Sequence, residues 1–287
     1  MKSAGSLEGD WSEKKLSVLA DYLASYTTAL SKQRLGRIYV DAFAGNGSDG
    51  SLRGGADTAG GFPLEFVHGS ARIALRTAPR FDRFLFVGAS AERSAQLEAL
   101  RSELPDRAAG IQVLAGDANG QLEALCEWDW RFRRAVLVLD PLATAVDWTT
   151  LEAVASTRAI DVWMLLPLEM PSLRTLSRCE EIHPEWRRRI DTLLGTTDWA
   201  EDFCRAVQLD EDLFGEFEER LEKAAIEMIG RPLLARLATV FAGVAEKPVV
   251  LRNSENCPLY LLCFAVGNEK GKKMALETAQ RLMSDLR

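Results

Sequence analysis

Apolar and polar positions along the chain alternate between two periods. From 11 to 31, Leu16, Leu19, Leu23, Tyr26 and Leu30 recur at spacings of three and four, which predicts an amphipathic helix with Ser12 as its cap. Short runs that are apolar almost throughout follow at 37–40, 83–87, 111–115, 135–139 and 160–166. Stretches rich in Ala, Leu and Glu lie between them at 70–77, 91–104, 121–127 and 148–157. Continuously apolar strands separated by amphipathic helices predict a doubly wound α/β fold, a mostly parallel sheet covered on both faces. After Pro171 the alternation stops, and 172–236 reads as charged and helical, with Trp186 and Trp199. The sheet is expected to resume at 238–244 and 258–266, and a last helix at 270–286 closes the chain. The expected organisation is a Rossmann-like core with an N-terminal helix at 1–171, a helical insertion or lid at 172–236, and completing strands and helix at 237–287.

Composition narrows the function classes. The chain has 287 residues, 47% apolar and 27% charged, which suits a globular protein with a real core. The longest apolar stretches, such as 162–168, are far below the ~18–20 residues of a membrane span, so no membrane partner is expected. Residues 1–10 show no basic-then-apolar export layout. Five scattered cysteines without a CxxC pair, and only two histidines (His68 and His183), argue against a zinc cluster and a disulfide framework. A reducing cytoplasm and no metal centre are expected. With net charge −7, the overall field does not attract nucleic acid. Arg131-Phe132-Arg133-Arg134 and Trp186-Arg187-Arg188-Arg189 place aromatics beside cations, as nucleic-acid surfaces do, but solvated helix faces produce the same strings and are the favoured reading.

In a doubly wound sheet, ligands bind beyond the carboxyl ends of the strands, here Asp41, Gly88, Asp117 and Asp140. Asp41-Ala42-Phe43-Ala44-Gly45-Asn46-Gly47 follows the first strand, where glycines let the backbone approach a ligand and Asp41 can accept from an amine or hydroxyl. A plain glycine turn is the alternative. The run 48–61 stays glycine-rich, so the next helix is expected to start at Gly69-Ser70 with Ser70 as its cap. That spacing disfavours a dinucleotide and leaves room for a ligand with an amino-acid end. Gly88 stands where ribose-binding folds place an acid, and Glu92 is the nearest carboxylate in sequence. Asp117 can take an adenine amine while the Ala118 backbone meets a ring nitrogen, or Asp117 can cap the following helix. Asp140-Pro141 can orient a nucleophile or simply end a strand.

The order Asp-x-Phe-Ala-Gly-x-Gly, Gly-Asp-Ala-Asn, Leu-Asp-Pro resembles class I S-adenosylmethionine-dependent methyltransferases. The runs 11–22, 39–48, 69–75, 116–119, 138–141 with Trp148-Thr149-Thr150-Leu151, and 258–265 are similar to the bacterial three-Cys-motif partner protein family (TcmP). The resemblance implies a Rossmann-like fold of class I methyltransferase type with S-adenosylmethionine as cofactor. Asp41, Phe43, Ala44, Gly45, Gly47, Gly69 and Ser70 would lie around its methionine end, and Asp117 and Ala118 around adenine. Asp140 and Pro141 would orient the acceptor. It also implies a partner protein carrying the three-cysteine motif. Two positions differ from the family pattern: Gly88 replaces the second-strand acid, and Leu142-Ala143 replace an aromatic and a glycine. The expected function is a methyltransferase whose acceptor is a nucleic acid, a protein or a small molecule. The alternative is a catalytically degenerate fold that binds and regulates the partner, with 172–236 as its interaction surface.

Overall fold

The computed structural model describes residues 7–42, 64–87, 95, 97–99, 101–102, 104–139, 146–167, 184–199, 230–252 and 258–286. The chain opens with helix α1 (Leu7–Leu30), then β1 (Gly36–Ala42), α2 (Leu64–Arg76) and β2 (Arg83–Val87). A short turn of helix α3 (Pro105–Ala108), β3 (Ile111–Leu114), α4 (Ala118–Cys126), β4 (Arg133–Leu139), α5 (Trp148–Ser156) and β5 (Ile160–Pro167) continue the alternation. Then come α6 (Pro184–Leu194), α7 (Arg231–Val240), β6 (Gly243–Val244), β7 (Val249–Arg252), β8 (Pro258–Val266) and α8 (Lys272–Ser284).

The eight strands form one sheet in the order β3-β2-β1-β4-β5-β8-β6, with β7 also on β8. The first five pair in parallel, and β8 runs antiparallel to β5, β6 and β7. The strand order bears out the expected doubly wound, mostly parallel α/β fold. The apolar strands follow from burial on both faces. On one face Ile38, Val40, Leu137, Leu139 and Val162 pack with Leu122 and Leu125 of α4, Leu151 of α5, Leu193 of α6 and Leu233 of α7. On the other, Tyr39, Phe84, Phe86, Trp163 and Phe264 pack with Leu19 and Tyr22 of α1, Leu75 of α2 and Leu282 of α8.

Three expectations need correction. Helix α1 begins at Leu7, so Ser12 lies inside it and not at its start. Helix α2 begins at Leu64, not at Gly69-Ser70, so His68, Gly69 and Ser70 are interior helical residues. An interior glycine costs only ~1 kcal/mol, which the buried Ala71, Ala74 and Leu75 face offsets. The run 238–244 is not a continuous strand: 238–240 end α7, where Leu233 and Leu237 at helical spacing bury one stripe, and Phe241 then turns extended and leaves only two residues for β6. Strand β7 was not expected; its four residues alternate buried and half-buried, too short a pattern to read. Among the described residues, no helix is long and apolar enough to cross a membrane.

Candidate functional site

The strand order reverses between β1 and β4, so the crevice of a doubly wound sheet opens at the carboxyl ends of these two strands. Asp41 sits there, opposite Val138 in register, one residue before the end of β1. It is 1% exposed. A buried carboxylate must be hydrogen-bonded to persist. Its Oδ2 accepts from the Tyr39 hydroxyl at 3.3 Å and from Ser70 Oγ at 3.0 Å. Ser70 therefore does a different task from the one expected: from within α2 it anchors the helix to the end of β1.

The end of β3 builds the second wall. Gly116 has φ +107°, a conformation side chains rarely adopt, and nothing lies within 4 Å of where its Cβ would be. Asp117 follows as the N-cap of α4, so the capping reading is correct: its carboxylate accepts from the amides of Asn119 at 3.3 Å and Gly120 at 2.8 Å. The amide of Gln121 donates to the Asp117 carbonyl at 3.2 Å. Of the first four amides of α4, only that of Ala118 has no partner among the described residues. Capping does not exhaust Asp117, since a carboxylate offers about four acceptor positions.

Asn119 was quoted in the motif but given no task. Its Oδ1 accepts from the Asp147 amide and from Thr150 Oγ1, both at 3.0 Å, and Thr150 is fully buried. The side chain ties the start of α4 to the start of α5 and fixes the Asp117 turn against the crevice. A polar residue two positions after a helix cap was the available signal.

Phe43, Ala44, Gly45, Gly47, Gly88, Glu92, Asp140, Pro141, Leu142 and Ala143 lie outside the described residues, as do the side chains of His68 and Gly69. Asp41, Ser70, Asp117 and Ala118 are therefore the candidate residues whose side chains are placed. Burial pushes the thiols of Cys126 and Cys263 up to about 12, with the Glu123 charge adding at Cys126, so neither is a thiolate nucleophile. Both are free, and Cys263 is core on β8. Arg187 and Arg188 are exposed on α6, the solvated helix face expected there; Arg131 and Phe132 instead form the turn into β4, and Arg133 and Arg134 are its first two residues.

No known family model matches the chain, and no curated protein matches it. Solved structures similar to it include protein LPL1258 from Legionella pneumophila, 9% identical, with a TM-score of 0.47 over 94% of this chain and 91% of that one. A candidate sarcosine dimethylglycine methyltransferase from Galdieria sulphuraria is 10% identical, with a TM-score of 0.35 over 87% and 85%. The YcgJ protein from Bacillus subtilis is 11% identical, with a TM-score of 0.31 over 85% and 95%.

Proposed function

We propose that the crevice at the carboxyl ends of β1, β3 and β4 binds S-adenosylmethionine, and that the protein is a methyltransferase of the three-Cys-motif partner type. The observation that carries this reading is the edge formed by Asp117 and Ala118. Adenine presents an exocyclic amine beside a ring nitrogen, a donor next to an acceptor. A carboxylate with spare acceptor positions followed by an unengaged amide is the complement of that pair. The placed residues therefore fit the adenosine end of the cofactor.

When bound, S-adenosylmethionine supplies an activated methyl group on a sulfonium. The chain's part is placement. Asp41, held by Tyr39 and Ser70, is fixed near the carboxyl end of β1, shortly before Gly45 and Gly47 in sequence, where it would take the methionine end. Asp140 and Pro141, directly after β4, would orient the acceptor. Methyl transfer requires alignment of nucleophile and methyl carbon and exclusion of water more than acid–base power. The acceptor is a nucleic acid, protein or small molecule, in a reducing cytoplasm that suits two free thiols.

A second reading keeps the fold but not the reaction: a regulatory partner of a three-cysteine-motif protein. It is favoured by Gly88 and Leu142, which stand where an acid and an aromatic are usual. Calorimetric titration with S-adenosylmethionine, for the wild type and Gly88→Glu, separates the two. Binding tighter than ~100 μM, about 5.5 kcal/mol, strengthened in Gly88→Glu, supports a cofactor site. No heat from either folded protein sinks the enzyme reading in favour of the partner.

A further inference from the structure

At the opposite end of the sheet, the strands open on arginine: Arg37 in β1, Arg83 in β2, Arg133 and Arg134 in β4. Three of them are engaged locally. Arg37 pairs with Asp82 at 3.3 Å, Arg134 donates to the carbonyls of Trp130 and Arg133, and Arg133 donates to the Asp129 carbonyl at 3.1 Å. Arg83 and Arg133 both lie over the ring of Trp128, with Cζ 5.7 and 5.5 Å from its centroid. Between their strands, β1 sets Gly36 opposite Arg133 and Ile38 opposite Arg83. Beside Arg83 is a cavity of about 330 Å³ lined by Arg80, Arg83 and Arg107, with Asp82, Asp106 and Gly110. Nη1 of Arg107 is buried there without a hydrogen-bond partner. Arg80, Arg83, Arg107 and Arg133 have no carboxylate partner among the described residues. Next to them Phe132 is 66% exposed, more than any other large apolar side chain among the described residues, with the Arg131 Cζ 6.0 Å from its ring.

A protein of net charge −7 thus gathers arginines in excess of carboxylates at one end, with Asp82, Asp106 and Asp129 among them, beside an aromatic left in water. Guanidinium forks match phosphate oxygens two at a time and stack on flat rings. An acidic peptide would use the charges and leave Phe132 in solvent. A duplex keeps its bases stacked on one another and offers Phe132 no face. Single-stranded nucleic acid uses both, since its phosphates follow the cations while unstacked bases cover the ring.

We propose that the amino-terminal end of the sheet binds single-stranded nucleic acid, with Arg80, Arg83, Arg107 and Arg133 on phosphates and Phe132 stacking on a base. The surface lies about a strand's length, ~20 Å, from the crevice, so it holds a polymer and stands whether or not the cofactor reading does.

Fluorescence anisotropy with a labelled oligouridylate of about 12 nucleotides, on the full chain, tests this. Saturable binding at about 50 mM salt is expected, with log affinity falling against log salt at a slope of about −3, near 0.7 for each of the phosphates contacted. The double variant Arg83→Ser, Arg133→Ser should lose about half that slope and at least about tenfold in affinity. Phe132→Ala should weaken binding about fivefold or more at an unchanged slope. Phe132 and Arg80 are exposed, so Phe132→Ala and Arg80→Ser carry the test if the double variant misfolds. Absence of binding by the folded wild type overturns the proposal. So does binding indifferent to these substitutions, or a duplex bound equally well with no loss in Phe132→Ala. Polyglutamate competing as well as the oligonucleotide overturns it in favour of an acidic protein partner.

Discussion

Two buried aspartates lie on the same face of the sheet near its opposite ends, and they are employed differently. Asp41 is 1% exposed and Asp161 6%, and each accepts from a tyrosine hydroxyl, so neither burial nor chemistry separates them. Their partners do. Asp41 is held by Tyr39 of its own strand and Ser70 of the next helix, which leaves it at the crevice mouth. Asp161, second residue of β5, accepts from Tyr22 of α1 at 3.1 Å and from the Gly267 amide after β8 at 3.0 Å. It fastens both ends of the chain to the centre of the sheet. Burial raises its carboxyl to about 7, against the pull of the Gly267 amide, the Tyr22 hydroxyl and the Arg134 charge. Position relative to the carboxyl ends of the strands, not burial, separates the two carboxylates.

The contrast breaks first at Gly267. A Cβ there would collide with the backbone carbonyl oxygen of Ile160 and push the amide off Asp161. Gly267→Ala should cost about 3 kcal/mol or more, a fall of roughly 6–10 °C in Tm by thermal denaturation, while leaving the crevice intact.

The second effect is in pH. In the unfolded chain Asp161 ionises near pH ~4, but in the folded protein near 7, so between these values only the native state holds the proton. Its stabilising contribution is full below pH ~4, falls by up to about 1.4 kcal/mol per unit as pH rises through the window, and levels off above the folded value. Denaturant unfolding at pH 5, 6 and 7 should show this slope in the wild type and its loss in Asp161→Asn; an unchanged slope would remove Asp161 as its source.

The third concerns the other carboxylate. Asp41→Asn keeps an oxygen for Ser70, so stability should change by no more than about 1 kcal/mol, while affinity for S-adenosylmethionine should fall about tenfold. Equal losses of stability in Asp41→Asn and Asp161→Asn would erase the comparison. The smallest effect is Ser70→Ala, about 1 kcal/mol in chemical denaturation, from one hydrogen bond to Asp41.

The sheet was legible because its strands are buried on both faces and read as apolar runs; 83–87 and 258–266 coincide with β2 and β8. Helix starts were less so. Gly69-Ser70 carries the residue types of a cap, yet Leu64 to Val67 already form a turn whose continuation buries Ala71, Ala74 and Leu75, and tertiary packing overrode the local signal. Asp117 showed the converse, a local cap signal that the structure follows, on a carboxylate with acceptor positions to spare. Asp161 was passed over inside an apolar run. A lone acid within a continuous strand, with tyrosines at positions 22 and 26 of an amphipathic helix, was the signal for a buried tie. Arg133 and Arg134 were read as a helix face, because the convergence of Arg133 with Arg83 on Trp128 depends on pairing between strands far apart in sequence.

The most direct test of the crevice is the Ala118 amide. Proline is well tolerated at a first helical position, and Asp117 already has the extended backbone (φ −65°, ψ 117°) that suits a residue before proline, so Ala118→Pro removes one donor and spares the fold. Titration calorimetry with S-adenosylhomocysteine should show binding by the wild type and about tenfold weaker binding by Ala118→Pro, one hydrogen bond's worth, at unchanged Tm. Equal affinity in the two proteins, or no binding by the folded wild type, would contradict the adenosine site at the end of β3.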